Sequence, residues 1–181
     1  MEQTKIDGFG SQSPKIILHI ANRPPLDVYA GDINRPLQLN EAADIIAQTG
    51  NHWRKVFSIL AKISFALFDT QCTSWQQYRD TKLLTQDGFE FVSFSPVQAS
   101  QAWKTEGQLS SVSILCGFQY AETQLQLNTL VSHQQFAKLQ WSEPLQCLVT
   151  PYFDWRQLNN VMLEVVISII KNKQCSDSKT E

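Results

Sequence analysis

Charge is scarce in this chain. Of its 181 residues, 18% are Asp, Glu, Lys or Arg, against about 25% in an average soluble protein, and the formal net charge is -2. Uncharged polar side chains fill the gap, among them 20 glutamines. So neutral a chain has no global field to gather a polyanion, which argues against strong nucleic-acid binding and against an anionic membrane surface. Long hydrophobic runs are missing as well. The longest, from Val161 to Ile170, is broken by Glu164 and Ser168 and falls far short of the roughly 20 residues that cross a bilayer. Residues 1–14 lack a basic start followed by an apolar stretch, so no secretory leader is expected and the cytoplasm is the expected location. Cys72, Cys116, Cys147 and Cys175 include no Cys-x-x-Cys spacing and read as reduced thiols, with Cys116 and Cys147 as small buried hydrophobes in apolar runs.

Signatures of known chemistry are absent too. No Gly-x-Gly-x-x-Gly follows the first predicted strand, no phosphate loop ends in Gly-Lys-Ser or Gly-Lys-Thr, and no Gly-x-Ser-x-Gly elbow presents a nucleophile. His19, His52 and His133 stand at no metal-ligand spacing. No cofactor and no metal are implied, and without a catalytic motif the balance leans away from an enzyme.

What is present is a core. At 43% hydrophobic the chain is too apolar for disorder and long enough for one domain. The expected organisation is a flexible polar arm at 1–14, a single α/β domain at 15–173, and a disordered tail at 174–181. Four strands are expected, at 15–21, 89–94, 112–116 and 145–150, each a short apolar or aromatic run bounded by turn residues. Helices are expected between them, with Asn40 and Asn51 as caps and capping boxes at Thr73 or Ser74, Ser95, Ser132 and Asp154. The stretch 118–131 fits either a helix or an alternating strand, and helix is favoured. Strands separated by helices cannot be hairpins, so they should lie parallel with helices on both faces. The predicted fold is a three-layer α/β/α domain with a four-stranded, mostly parallel sheet.

In an open parallel sheet, ligands bind beyond the carboxyl ends of the strands. That rule selects Asn22, Arg23 and Asp27 after the first strand, Gln119 and Tyr120 after the third, and Tyr152, Trp155, Arg156 and Gln157 after the fourth. Aromatic rings and amides in such numbers suit stacking on, and hydrogen bonding to, a small planar polar ligand such as a nucleobase. A plainer reading is that Tyr152 and Trp155 cover the sheet end while Asp154 caps a helix.

The order of elements, with Asn22-Arg-Pro-Pro-Leu-Asp27 after the first strand and Thr150-Pro-Tyr-Phe-Asp154 after the last, resembles the uracil-DNA glycosylase-like fold. In that family a water-activating acid or amide follows the first strand and a His-Pro-Ser-type loop follows the last. The resemblance implies that Asn22 or Asp27 would orient water and that Tyr152 would stack on a base. This chain departs from the motifs: Gly-x-Asp-Pro and Gly-x-Asn-Pro are missing, and Thr150-Pro151 stands where His-Pro is expected. The likeness therefore speaks to fold more than to activity. The chain also resembles bacterial families of unknown function. Three functions compete: a binding domain for a small polar ligand, a noncatalytic protein-protein interaction module, and, behind these, a glycosylase-like enzyme.

Overall fold

The structure, a computed structural model, describes residues 6–101, 111–125 and 129–177. The chain is α/β, with eight strands in one mixed sheet. They are β1 (Gly8–Gly10), β2 (Ile16–His19), β3 (Asn34–Arg35), β4 (Glu90–Ser93), β5 (Val112–Cys116), β6 (Leu130–Ser132), β7 (Gln140–Ser142) and β8 (Cys147–Thr150). The helices are α1 (Glu41–Thr49), α2 (Asn51–Leu67), α3 (Trp75–Thr81), α4 (97–101), α5 (Phe118–Gln124) and α6 (Asn160–Asp177). A 3-10 turn, Asp27–Tyr29, interrupts the loop after β2.

The expectation of four mostly parallel strands is corrected. The sheet order is β3-β1-β4-β2-β5-β8-β7-β6, with four parallel and three antiparallel contacts. At its centre β4, β2, β5 and β8 run parallel, and antiparallel neighbours extend it at each side. The unforeseen strands are two or three residues long, too short to show alternation in sequence.

Alternation along the central strands builds two apolar faces. Ile16, Leu18, Ile20, Val92, Ile114 and Leu148 join a cluster with Val56, Phe57, Leu60, Ile63, Leu163, Val166 and Ile170 from α2 and α6. Leu115, Cys147 and Val149 face the other way and pack with Val97, Ala121 and Leu125 near α4 and α5. Helix α2 forms because its apolar residues fall at helical spacing, and Trp53, Phe57 and Leu60 are each at most 1% exposed. Among the described residues no helix is long and apolar enough to cross a membrane.

The expected arm at 1–14 is corrected too. Phe9 in β1 is fully buried and its ring lies 5.5 Å from Phe94, 5.6 Å from Tyr29 and 6.2 Å from Trp53, so this polar-looking segment delivers a central core residue. Its neighbour Gly10 has φ +140, and a Cβ there would collide with the Glu90 carbonyl, which explains a glycine beside β4. Of the expected tail, residues 174–177 belong to α6. Residues 1–5 of the expected arm and 178–181 of the expected tail lie outside the described residues.

Several helix starts move. Helix α5 is Phe118–Gln124, and Leu130–Ser132 is a strand, so the helical reading of 118–131 holds at its start and fails at its end, with 126–128 outside the described residues. Ser132 opens no helix; the His133 Nδ1 accepts the Gln135 and Phe136 amides at 3.3 and 3.4 Å, closing a turn into β7. Asn40 precedes α1 in a left-handed conformation, φ 67, and makes no side-chain cap. The predicted start at Trp155 falls at Asn160 instead. Asp154 binds the Arg156 amide and Lys55, whereas Asn159 Oδ1 accepts the Met162 amide at 3.0 Å. The cap at Ser74 is present, its hydroxyl accepting the Gln77 amide at 3.1 Å.

Candidate functional site

Three chain segments leave the carboxyl ends of β2, β5 and β8 side by side, since these strands are consecutive neighbours in the sheet. They border a cleft of about 780 Å³ lined by Asn22, Cys116, Gln119, Tyr120, Tyr152 and Gln157, among others. The turn from β5 into α5 is made at Gly117, φ +100, a backbone conformation that a side chain would strain. The segment after β8 is fixed by alternation. Phe153 is fully buried and its amide donates to Cys116 Sγ at 3.3 Å, so Tyr152 before it is turned out into the cleft.

The first turn of α2 clasps that segment twice. Tyr152 Oη and His52 Nε2 are 2.6 Å apart, and Lys55 Nζ donates to Asp154 Oδ2 at 2.6 Å. Burial, and then the nearby Cys116 thiol, push the Tyr152 phenol above its ordinary range, with the Asn22 amide pulling it back in part. Burial and then the Lys55 ammonium lower the His52 pKa, and Asp154 opposes them. A phenol that keeps its proton thus meets an imidazole biased to its neutral form, and the imidazole tautomer sets which of the two donates. Burial pushes the Cys116 thiol up to about 12, so it borders the cleft as a neutral thiol.

A second cavity of about 500 Å³ adjoins, sharing Ala21 and Asn22 with the first and lined also by Arg23, Pro25, Thr49, His52 and Trp53. The Arg23 guanidinium is already engaged. It pairs with Asp7, donates to the Gly31 carbonyl at 3.2 Å and lies 4.6 Å from the Phe94 ring centre, holding the loop after β2 against β1.

Of the residues selected from sequence, Asn22, Gln119, Tyr120, Tyr152 and Gln157 therefore share the larger cleft, and Arg23 borders the smaller cavity. Three others lie elsewhere. Asp27 lines a separate hollow with Tyr29 and Glu41. The Trp155 ring stacks under Lys62, 4.2 Å from its ammonium, and packs on the helix-side core. Arg156 is exposed and borders none of these cavities. His52 is not among the residues selected from sequence: it is 100 residues from its partner and carries no sequence signal beyond opening a helix. Among the described residues no three His, Cys, Asp or Glu side chains gather closely enough to hold a metal ion.

A family model matches residues 7–171, nearly the whole described chain. The chain belongs to the family of unknown function DUF6942. Membership spans every strand of the sheet and the residues around the cleft, so cleft and fold fall within one family unit. Comparison with curated proteins and with solved structures finds no match.

Proposed function

We propose that the chain binds a small, planar, polar ligand in the cleft beyond the carboxyl ends of β2, β5 and β8. The observation that carries this reading is convergence. Asn22, Gln119, Tyr120 and Tyr152 come from three segments more than 30 residues apart in sequence and line one cleft. Tyr120 and Tyr152 offer aromatic faces, and Asn22, Gln119 and Gln157 offer amides that both donate and accept. Ligand sites are concave, with apolar walls and a few placed polar groups, and open α/β sheets hold theirs at this end. A nucleobase has the matching chemistry, a flat face and an edge of amide-like donors and acceptors. Of the residues that the resemblance to uracil-DNA glycosylase-like domains selects, Asn22 and Tyr152 line this cleft and Asp27 lies in a separate hollow; binding, not base excision, is the function proposed.

The test is calorimetric titration of the full chain with the common nucleobases. Binding is expected for at least one, lost on Tyr152→Ala or Asn22→Ala with the melting temperature unchanged. Failure of every base, or loss of binding only in parallel with stability, would remove the reading.

A second reading has its own observation. A groove of about 600 Å³, lined by Val131, Leu139, Trp141, Ile169 and Lys173, lies where the β6–β7 edge meets α6, and Val131 on the edge strand is 67% exposed. Apolar surface beside an open edge favours contact with another chain. Pull-down that depends on Val131 or Trp141 and not on Tyr152 would favour this interaction role.

A further inference from the structure

The two cavities beside Asn22 differ in the polar groups they offer, yet share one property. The described residues around the larger cleft include no Asp, Glu, Lys, Arg or His. Two groups that line the smaller cavity can carry positive charge. The Arg23 charge is compensated by Asp7, and its Nη1 also donates to the Tyr29 and Gly31 carbonyls. His52 is held neutral by burial and by Lys55, whose own charge is paired with Asp154. A phosphate or carboxylate entering either compartment would lose water and, among the described residues that line it, meet no cation without a counter-ion, which is costly for an ion.

The compartments also meet. They share Ala21 and Asn22, and the Tyr152–His52 hydrogen bond, 2.6 Å, joins a residue of the larger to one of the smaller. What lines the smaller compartment suits hydroxyl groups: the Asn22 amide, the His52 ring, and the Thr49 oxygen, whose proton is donated to the Ile45 carbonyl at 2.6 Å and whose lone pairs can still accept.

We infer that the two cavities form one bipartite site for an uncharged ligand of nucleoside type, with the planar ring in the larger compartment and a hydroxylated substituent in the smaller. This rests on the ligand reading above and extends it from a ring to a ring with its substituent. His52 is then a positioning residue that fixes the Tyr152 hydroxyl at the junction. Its exposure means that replacing it leaves the core intact.

The experiment is titration of the full chain at neutral pH with each nucleobase, its ribonucleoside and its 5′-monophosphate, repeated for His52→Gln and Tyr152→Phe. At least one nucleoside is expected to bind about tenfold more tightly than its base, a gain of one or two hydrogen bonds. Its monophosphate is expected to bind about tenfold or more weakly than the nucleoside, as for an uncompensated charge at a partly desolvated site. His52→Gln should narrow the nucleoside's advantage over its base, since His52 lines the smaller compartment. In the unmodified chain the gain should also fade as acid protonates His52, with Lys55, Asp154 and Arg23 the charged groups around that ring, and Tyr152→Phe should abolish this pH dependence. Bases that bind while nucleosides bind no better, or monophosphates that bind as well as nucleosides, would overturn the bipartite site and leave the ring reading standing. If neither bases nor nucleosides bind, both fall together.

Discussion

Tyr78 and Tyr152 each hydrogen-bond a titratable side chain, and their surroundings give the pairs opposite roles. Tyr78 Oη donates to Glu90 Oε1 at 2.7 Å within the packed layer between sheet and helices, where both residues are fully buried. Tyr152 Oη meets His52 Nε2 at 2.6 Å at the rim of the cleft. In the interior, burial pushes the Glu90 carboxyl up, while the Tyr78 hydroxyl and the Leu84 amide donate to its two oxygens. At the rim, a similar bond can be broken and replaced by water or by a ligand. A buried polar pair holds the fold together because nothing else can solvate it; an accessible one is free to be used.

The sharpest way to break that contrast is substitution of each hydroxyl. Tyr78→Phe leaves a buried carboxyl short of a donor and should cost about 1–3 kcal/mol of unfolding free energy, read from urea denaturation. Changing pH probes the same pair. The folded-state pKa of Glu90 lies above its unfolded value, so its contribution is fully present below the ordinary carboxylate range and is lost as pH rises through and beyond it. Glu90→Gln should flatten that decline in a pH series of melting curves.

An intermediate case lies on the surface. Glu41 accepts from the Tyr29 hydroxyl at 2.6 Å and from Arg35 at 2.6 and 2.8 Å. Burial would raise its carboxyl, but Arg35, the Gln38 amide and Tyr29 overcome this and hold it at about 2. The sign is opposite to that of Glu90: the stabilisation is present above the unfolded carboxylate value and is lost as pH falls toward 2. Because the Arg35 side chain is 37% exposed, Arg35→Met should cost only about 0.2–1 kcal/mol, with the loss vanishing in acid. Smallest of all, Tyr152→Phe should shift stability by no more than about 0.5 kcal/mol while changing ligand affinity. A large destabilisation there would put the Tyr152 pair with Glu90 and Tyr78, as part of the fold.

The readable parts of the sequence were those with enough residues to show a pattern. The runs around Ile16–His19, Glu90–Ser93, Val112–Cys116 and Cys147–Thr150 are apolar, bounded by turns, and form the central parallel strands. Gly8-Phe9-Gly10 shows no such pattern, because a glycine on each side of Phe9 leaves a single buried side chain to mark the strand. The Asp154 signal was misread for a different reason. A capping residue is recognised by spacing alone, and here its carboxylate is claimed by Lys55, 99 residues away. Sheet-end geometry brought Asn22, Gln119, Tyr120 and Tyr152 together from strand order, whereas His52 enters through the docking of α2, a tertiary contact that local pattern does not encode.

The central claim is that the cleft beyond β2, β5 and β8, not the groove at the β6–β7 edge, is the ligand site. Amide chemical-shift mapping of the full chain during titration with nucleobases and nucleosides tests it directly. The account predicts saturating shifts at Asn22, Gly117, Gln119, Tyr120 and Tyr152, and at His52 with nucleosides, while Ser132 to Trp141 stay unmoved. Shifts confined to Ser132–Trp141, or none at any ligand concentration, would contradict it.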